Sequence, residues 1–219
     1  MKIILTGPTG MVGSEVLRQA LLDEQITEIT ALSRKPLPAA PKLKTIILTD
    51  FMNYAGLEEV FRTHDACMWC LGISQNAVNE QEYITITYDY TIAAAEAMLK
   101  ANPGITLLFL SGEGAKTDEK SRYLFGRIKG RTEKALSDMP FKRLLIARPA
   151  GIIPVDGGSR YPFALRLQYL FARIMKYITP AYVITSVKLA KAMLYILKYG
   201  NNATYSFTDI NAAAQRIEA

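Results

Sequence analysis

Apolar and polar positions along this chain change period again and again. Short apolar runs of strand length alternate with stretches in which apolar residues return every three to four positions, as one face of a helix requires. Lys2–Thr6 predicts a first strand, Met11–Asp23 an amphipathic helix and Thr27–Ser33 a second strand, which together make one βαβ unit. Thr45–Leu48 predicts a third strand, Tyr54–Phe61 a short helix, Ala66–Leu71 a fourth strand and Glu80–Ala101 a long alanine-rich helix. Asn102-Pro103-Gly104 ends that helix, because proline lacks the N–H the next turn needs and glycine tolerates the reversed backbone of a helix stop. Ile105–Leu110 then predicts a fifth strand, Ser121–Asp138 a helix and Arg143–Ala147 a sixth strand. Such alternation predicts an α/β fold, a doubly wound parallel sheet with helices on both faces.

Beyond Arg148-Pro149 the rhythm changes. Gly151–Tyr161 is rich in Gly and Pro and reads as loop, Phe163–Tyr177 and Ser186–Tyr199 read as helices, and Tyr205–Phe207 as a late strand. Asp209 is a candidate cap for a last helix, Ile210–Glu218. With no internal repeat or flexible linker, residues 1–219 read as a single domain: a core of alternating strands and helices over 1–150 and a small cap laid over the sheet across 151–219. Between Tyr161 and Tyr177 aromatic residues (Tyr161, Phe163, Tyr169, Phe171, Tyr177) alternate with Arg160, Arg166, Arg173 and Lys176. That pattern suits a substrate lid or a shallow membrane-surface face, and equally a cap helix or a subunit contact.

Composition narrows the class. Apolar residues are 50% of the chain and charged residues 21%, which suits a packed globular protein. The longest uncharged apolar run, Ala66–Ile73, has eight residues, against about 18 needed to span a bilayer. The N-terminus lacks the apolar core of a secretory signal, so a cytoplasmic protein is expected. The net charge of +6 attracts anions without naming nucleic acid as a partner. Its densest basic stretch, Lys116–Lys134, has seven basic and three acidic residues and reads as a solvated helix face. Cys67 and Cys70 form a Cys-x-x-Cys pair, but on a strand a spacing of three sends the thiols to opposite faces, and His64 adds too few ligands for zinc. Inert core cysteines, no metal, and a surface His64 are therefore expected.

Gly7-Pro8-Thr9-Gly10-Met11-Val12-Gly13 carries the strongest chemistry, because it lies between the first strand and the first helix. There Gly7 permits a tight turn, Gly10 lets backbone approach a pyrophosphate, Gly13 lets the helix pack closely, and the helix N-terminus favours an anion. Thr9, Met11 and Val12 complete the phosphate loop. About twenty residues past Gly13, the second strand ends in Leu32-Ser33-Arg34-Lys35, with no acidic residue to bind ribose hydroxyls as NAD requires. Arg34 suits the 2′-phosphate of NADP, with Lys35 adding charge; solvent-facing loop charges are the alternative. Asp50, followed by Phe51, meets either the adenine amine or the N-terminus of the helix beginning near Tyr54.

Gly7 to Gly13, Ser33-Arg34-Lys35, Leu71-Gly72, Asp89-Tyr90, Leu110-Ser111, Lys129-Gly130 and Ala147-Arg148-Pro149 resemble the atypical short-chain dehydrogenase/reductases. The resemblance is to the NAD(P)H-binding branch that includes NmrA-like and Tat-interacting-protein-like members, over nearly the whole chain. It implies a Rossmann fold, NADP across the strand ends, a pocket beneath the C-terminal segment, and backbone contact to the cofactor from Leu71, Gly72 and Ile73. The family's catalytic Tyr-x-x-x-Lys pair places two side chains about 40° apart on one helix, the lysine holding the nicotinamide ribose and lowering the tyrosine pKa. Here Lys129 matches the lysine, while Phe125 stands at the tyrosine position and cannot transfer a proton. In a regular helix Tyr123 points about 240° around the axis from Lys129, so it can reach the site only if the helix begins after it; Arg127, four residues on, is either its partner or a surface stack. Ser111 matches the serine that hydrogen-bonds the substrate carbonyl; local hydrogen bonding at a strand end is the other reading.

These residues lead to two expectations. One is an NADP-dependent oxidoreductase acting on a small carbonyl, enone or quinone-like compound, with Ser111, Tyr123 and Lys129 in the catalytic site. The other is a sensor or partner-binding protein that binds NADP(H) without turnover. An epimerase or dehydratase would need a sugar-nucleotide pocket that no sequence feature demands. Monomer and homodimer are both compatible with the sequence.

Overall fold

The computed structural model describes residues 1–155 and 182–216. Seven strands form one parallel sheet: β1 (Lys2–Thr6), β2 (Glu28–Ser33), β3 (Leu43–Ile47), β4 (Ala66–Trp69), β5 (Thr106–Leu110), β6 (Arg143–Ala147) and, last in the chain, β9 (Ala203–Tyr205). Their order is β3-β2-β1-β4-β5-β6-β9. From β1 the chain builds outward to β3, then returns to place β4 on the other side of β1. That reversal opens a crevice at the C-terminal ends of β1 and β4, where ligands bind in sheets of this kind. Registers pair Thr6 with Leu32 on one side and with Trp69 on the other.

The central strands are apolar on both faces because both are covered. Ile3, Leu5, Ala66, Met68, Leu108 and Leu145 face α1 (Met11–Leu22) and two C-terminal helices, α6 (Ser186–Tyr199) and α7 (Phe207–Arg216). Ile4, Cys67, Trp69, Leu107, Phe109 and Ile146 face the other layer. That layer holds α2 (Glu58–Thr63), α3 (Glu80–Ile84), a π-helical turn (Thr85–Asp89), α4 (Tyr90–Ala101) and α5 (Leu124–Ser137). Val12, Val16 and Ala20 recur every fourth residue and bury the inner face of α1. Ser186–Tyr199 matches the expected helix end to end, its start capped by Thr185 Oγ1 accepting from Lys188 N at 3.2 Å.

Several expectations change. The long helix over 80–101 is interrupted by the π turn, where Tyr90 N bonds to Thr85 O; the Thr87 carbonyl accepts the hydroxyls of Thr91 at 2.8 Å and Thr132 at 3.4 Å. The short helix begins at Glu58 rather than Tyr54. Asp50 does not cap it: its Oδ1 accepts from Met52 N at 2.8 Å, closing a local turn. Gly151–Ile153, expected as loop, is a strand (β7) paired in parallel with β8, Val183–Thr185. Three residues are too few to show an alternation, and the partner lies 32 residues on, so the sequence carries no local signal. Asp209 lies inside the first turn of α7; Ser206 precedes it, and the two exchange Ser206 N to Asp209 Oδ2 at 2.9 Å and Asp209 N to Ser206 Oγ at 3.3 Å. His64, expected at the surface, is 3% exposed: its Nδ1 meets Val60 O at 2.7 Å and its Nε2 meets Thr30 Oγ1 at 2.9 Å. Residues 182–216 complete the sheet and cover one of its faces, whereas Phe163–Tyr177 and its aromatic and basic residues lie outside the described residues.

Candidate functional site

The glycine turn lies at the crevice and its backbone shows why glycine is required. Gly7 has φ +66°, and a Cβ there would lie 2.6 Å from the Cys70 carbonyl oxygen. A Cβ on Gly13 would lie 2.0 Å from Gly7 O, so Gly13 packs against the loop itself. Gly10 N closes the turn onto Gly7 O at 3.0 Å, and Gly10 is the N-cap of α1. That cap supplies no side-chain acceptor, and the first turn of α1 has no acidic residue, so its N–H groups and dipole are left for an external anion. Thr6, which the sequence reading passed over, fixes the crevice from below: its Oγ1 accepts from Cys70 N at 3.1 Å and Leu71 N at 3.2 Å.

A cleft of about 260 Å³ is lined by Gly7, Pro8, Thr9, Leu32, Ser33, Arg34, Lys35, Phe51 and Leu71. Six of these, Gly7, Thr9, Arg34, Lys35, Phe51 and Leu71, are expected from sequence to bind the cofactor; Pro8 joins them as part of the glycine loop, and Leu32 and Ser33 as part of the strand end. Arg34 and Lys35 are exposed. Ser33 Oγ accepts from Lys35 N at 3.3 Å, holding the basic turn. Phe51, 3% exposed, stacks on Tyr90 with ring centroids 5.7 Å apart. Gly10, Met11, Val12, Gly13, Asp50, Gly72 and Lys129 do not line the cleft; Val12 and Gly13 are buried behind it, and Gly72 is exposed in the loop after β4. An uncapped helix start behind a glycine cradle, with a basic rim, fits the pyrophosphate and ribose of a dinucleotide.

A second group of residues gathers where β5 meets α5. Lys129 is buried, donates from Nζ to Leu110 O at 2.8 Å and lies 4.5 Å over the Phe109 ring. Burial lowers its pKa to about 8, against the opposing pull of Glu133 and Cys70. Ser111 is buried and donates to Glu133 Oε1. Glu133, 1% exposed, also accepts from Arg148 Nε at 3.0 Å and 3.1 Å and from its Nη2. That contact holds the Arg148 guanidinium above its ordinary pKa. Neither Glu133 nor Arg148 was assigned a role from sequence, although Glu133 is one helical turn beyond Lys129 and Arg148 lies in Ala147-Arg148-Pro149.

Tyr123 does precede the helix, as its N-cap, which meets the condition for its reaching the site; yet it is 71% exposed. Arg127 does not pair with it, reaching Ser121 O, Arg122 O and Glu80 Oε1 at 3.4–3.6 Å. Phe125 packs on Gly112, where a Cβ would meet its ring at 2.6 Å, and its N–H is taken by Gln75 Oε1 at 2.7 Å. Gly126 and Gly130 form a groove for the preceding loop: Lys116 N bonds to Gly126 O at 2.9 Å, and a Cβ on Gly130 would lie 1.9 Å from Lys116 O. Cys67 and Cys70 pack on opposite faces as free thiols, both with pKa raised by burial.

A doubly wound sheet with a glycine cradle at its reversal point defines a Rossmann protein that binds a nicotinamide dinucleotide. The chain belongs to the NAD dependent epimerase/dehydratase family, whose model matches residues 3–123. It is 36% identical over 160 residues to leucinostatins biosynthesis cluster protein T of Purpureocillium lilacinum, covering 69% of this chain and 58% of that one. It is 24% identical over 195 residues to protein HTATIP2 of Rattus norvegicus, covering 88% and 79%. Among solved structures, the Bordetella bronchiseptica enzyme WbmF in complex with NAD+ superposes with a TM-score of 0.72 over 99% of this chain and 77% of that one, at 12% identity. That last likeness is one of fold.

Proposed function

We propose that this protein is an NADP(H)-dependent oxidoreductase acting on a small carbonyl, enone or quinone-like compound. The observation that carries the reading is the cleft lined together by the glycine turn, Phe51 and the basic pair Arg34-Lys35; outside it, Lys129 is buried on α5 with its Nζ on the last carbonyl of β5. The first-turn N–H groups of α1 would bind the pyrophosphate, Arg34 the 2′-phosphate through its planar fork, and Lys129 the nicotinamide ribose. A nicotinamide dinucleotide, when bound, supplies or accepts a hydride. The protein's part is to orient that group, exclude water with the apolar walls of Leu32, Phe51 and Leu71, and manage the accompanying proton.

The chain's single tryptophan, Trp69, is buried at the end of β4 and reports binding by fluorescence. Titration with NADPH and NADH tests cofactor choice. Arg34→Ala is expected to weaken NADPH about 10- to 100-fold, the worth of a charge-assisted hydrogen bond, and to leave NADH unchanged. Equal affinity of the wild type for the two cofactors refutes the 2′-phosphate assignment.

One observation favours a second reading, a cofactor-binding sensor without turnover: Phe125 stands where a tyrosine would act, and Tyr123 faces solvent. Lys129→Ala separates the two. It abolishes turnover in an oxidoreductase, and it spares any partner binding that does not require cofactor in a sensor.

A further inference from the structure

Among the described residues, the hydroxyl side chains near the end of β5 that could hand a proton to a substrate are committed or displaced. The Ser111 proton goes to Glu133, whose carboxylate is in turn held by Arg148. A hydroxyl has one proton, so Ser111 Oγ meets any further partner as an acceptor. Phe125 has no proton to give, and Tyr123 stands outside the helix in solvent. The Lys129 ammonium has three N–H donors and spends one on Leu110 O, so two remain.

We propose, building on the oxidoreductase reading, that Lys129 is itself the proton donor of the reaction, and that Glu133, one helical turn on, is its positioning residue. In reduction, hydride from the reduced dinucleotide adds to the carbonyl carbon and the C=O π pair moves onto oxygen. That oxygen takes the Lys129 Nζ proton, completing the alcohol. The ammonium becomes a neutral amine and takes a proton from solvent before the next turnover. In this arrangement Ser111 accepts a hydrogen bond, from the ammonium or from the product hydroxyl, instead of donating one to the carbonyl.

The electrostatics agree with the geometry. Burial lowers Lys129 toward the pH at which it would work, where a general acid is most effective. The groups facing it are Glu133 from α5, Cys70 from the end of β4, and the Leu110 carbonyl and Phe109 ring from β5; Arg148, from the end of β6, is neutralised by Glu133.

The test follows NADPH oxidation by 1,4-benzoquinone and by pent-3-en-2-one from about pH 6 to about pH 10, with lysine Cε resonances of the full chain titrated by carbon-13 NMR in parallel. Lys129→Arg assigns the resonance, retains a cation for the ribose and cannot release its proton. The proposal expects a Lys129 midpoint near 8 and a wild-type kcat falling about tenfold per pH unit above it. It also expects Lys129→Arg to lose at least about 100-fold in kcat while NADPH affinity, read by Trp69 fluorescence, stays within about fivefold. Glu133→Gln should move the kcat inflection to lower pH, because removing a nearby negative charge disfavours the ammonium. A kcat flat with pH, a Lys129 midpoint above about 10, or undiminished turnover by Lys129→Arg overturns the proposal and leaves the oxidoreductase reading standing. Bound NADPH that neither acceptor oxidises in the wild type overturns the oxidoreductase reading, and this inference with it.

Discussion

Glu133 is the residue whose loss should reveal most about how this site is held. Its side chain is 1% exposed and receives the Ser111 hydroxyl and two Arg148 nitrogens, while the Arg148 side chain is 26% exposed. Removing one member of a buried ion pair costs about 3–5 kcal/mol, chiefly because the other charge is left without compensation. Water reaches Arg148 here, so the low end of that range applies. Glu133→Ala should therefore cost about 3 kcal/mol, including the stranded Ser111 hydroxyl. With an unfolding entropy of about 2.1 cal/mol/K per residue, 219 residues have about 0.46 kcal/mol/K, and Tm falls by about 6–7 °C. Urea unfolding followed by far-UV circular dichroism measures the loss as a lower midpoint at unchanged slope. Glu133→Leu combined with Arg148→Met removes both charges and should recover part of the loss, because no ion is then stranded. A Glu133→Ala cost below about 1 kcal/mol, or losses at the two positions that simply add, would refute the view that this triad ties β5, α5 and β6 together.

Other outcomes can be checked with the same protein. Gly13→Ala places a methyl 2.0 Å from Gly7 O, so the phosphate turn must move; NADPH affinity should fall at least about tenfold, and affinity unchanged in a fluorescence titration would sink the cradle argument. His64 is held below its ordinary pKa of 6.5, first by burial, so the unfolded chain binds the proton more readily than the folded one. Its contribution is complete above about pH 6.5 and is lost as pH falls from there toward the folded value, by at most about 1.4 kcal/mol per pH unit. Urea midpoints for wild type and His64→Gln between about pH 7.5 and about pH 5.5 measure it; equal pH dependence in the two would exclude His64 as the cause.

Much of the fold was legible because the central strands β1, β2, β4, β5 and β6 are covered on both faces and the long helices on one, so burial is written into local periodicity. Arg143–Ala147 and Ser186–Tyr199 match their expected spans residue for residue. β7 and β8 were not legible, since a strand of three residues shows no period and its partner is remote in sequence. His64 was misread for a related reason. Its neighbours Arg62, Thr63 and Asp65 are polar, and nothing local announces that Thr30 and the Val60 carbonyl will meet both ring nitrogens.

The sequence alone determined the layers, the sheet that alternates with helices, the glycine cradle and the basic end of β2, because each depends on spacing within a few residues or on one steric requirement. Tertiary structure decided which side chains own which protons. Ser111 and Glu133 are 22 residues apart and Glu133 and Arg148 are 15 apart. Only the packing of α5 across the ends of β5 and β6 brings them together, commits the serine proton and leaves Lys129 buried beside them. Hydrogen-bond polarity and desolvation depend on distances between segments, and a linear sequence does not contain those distances.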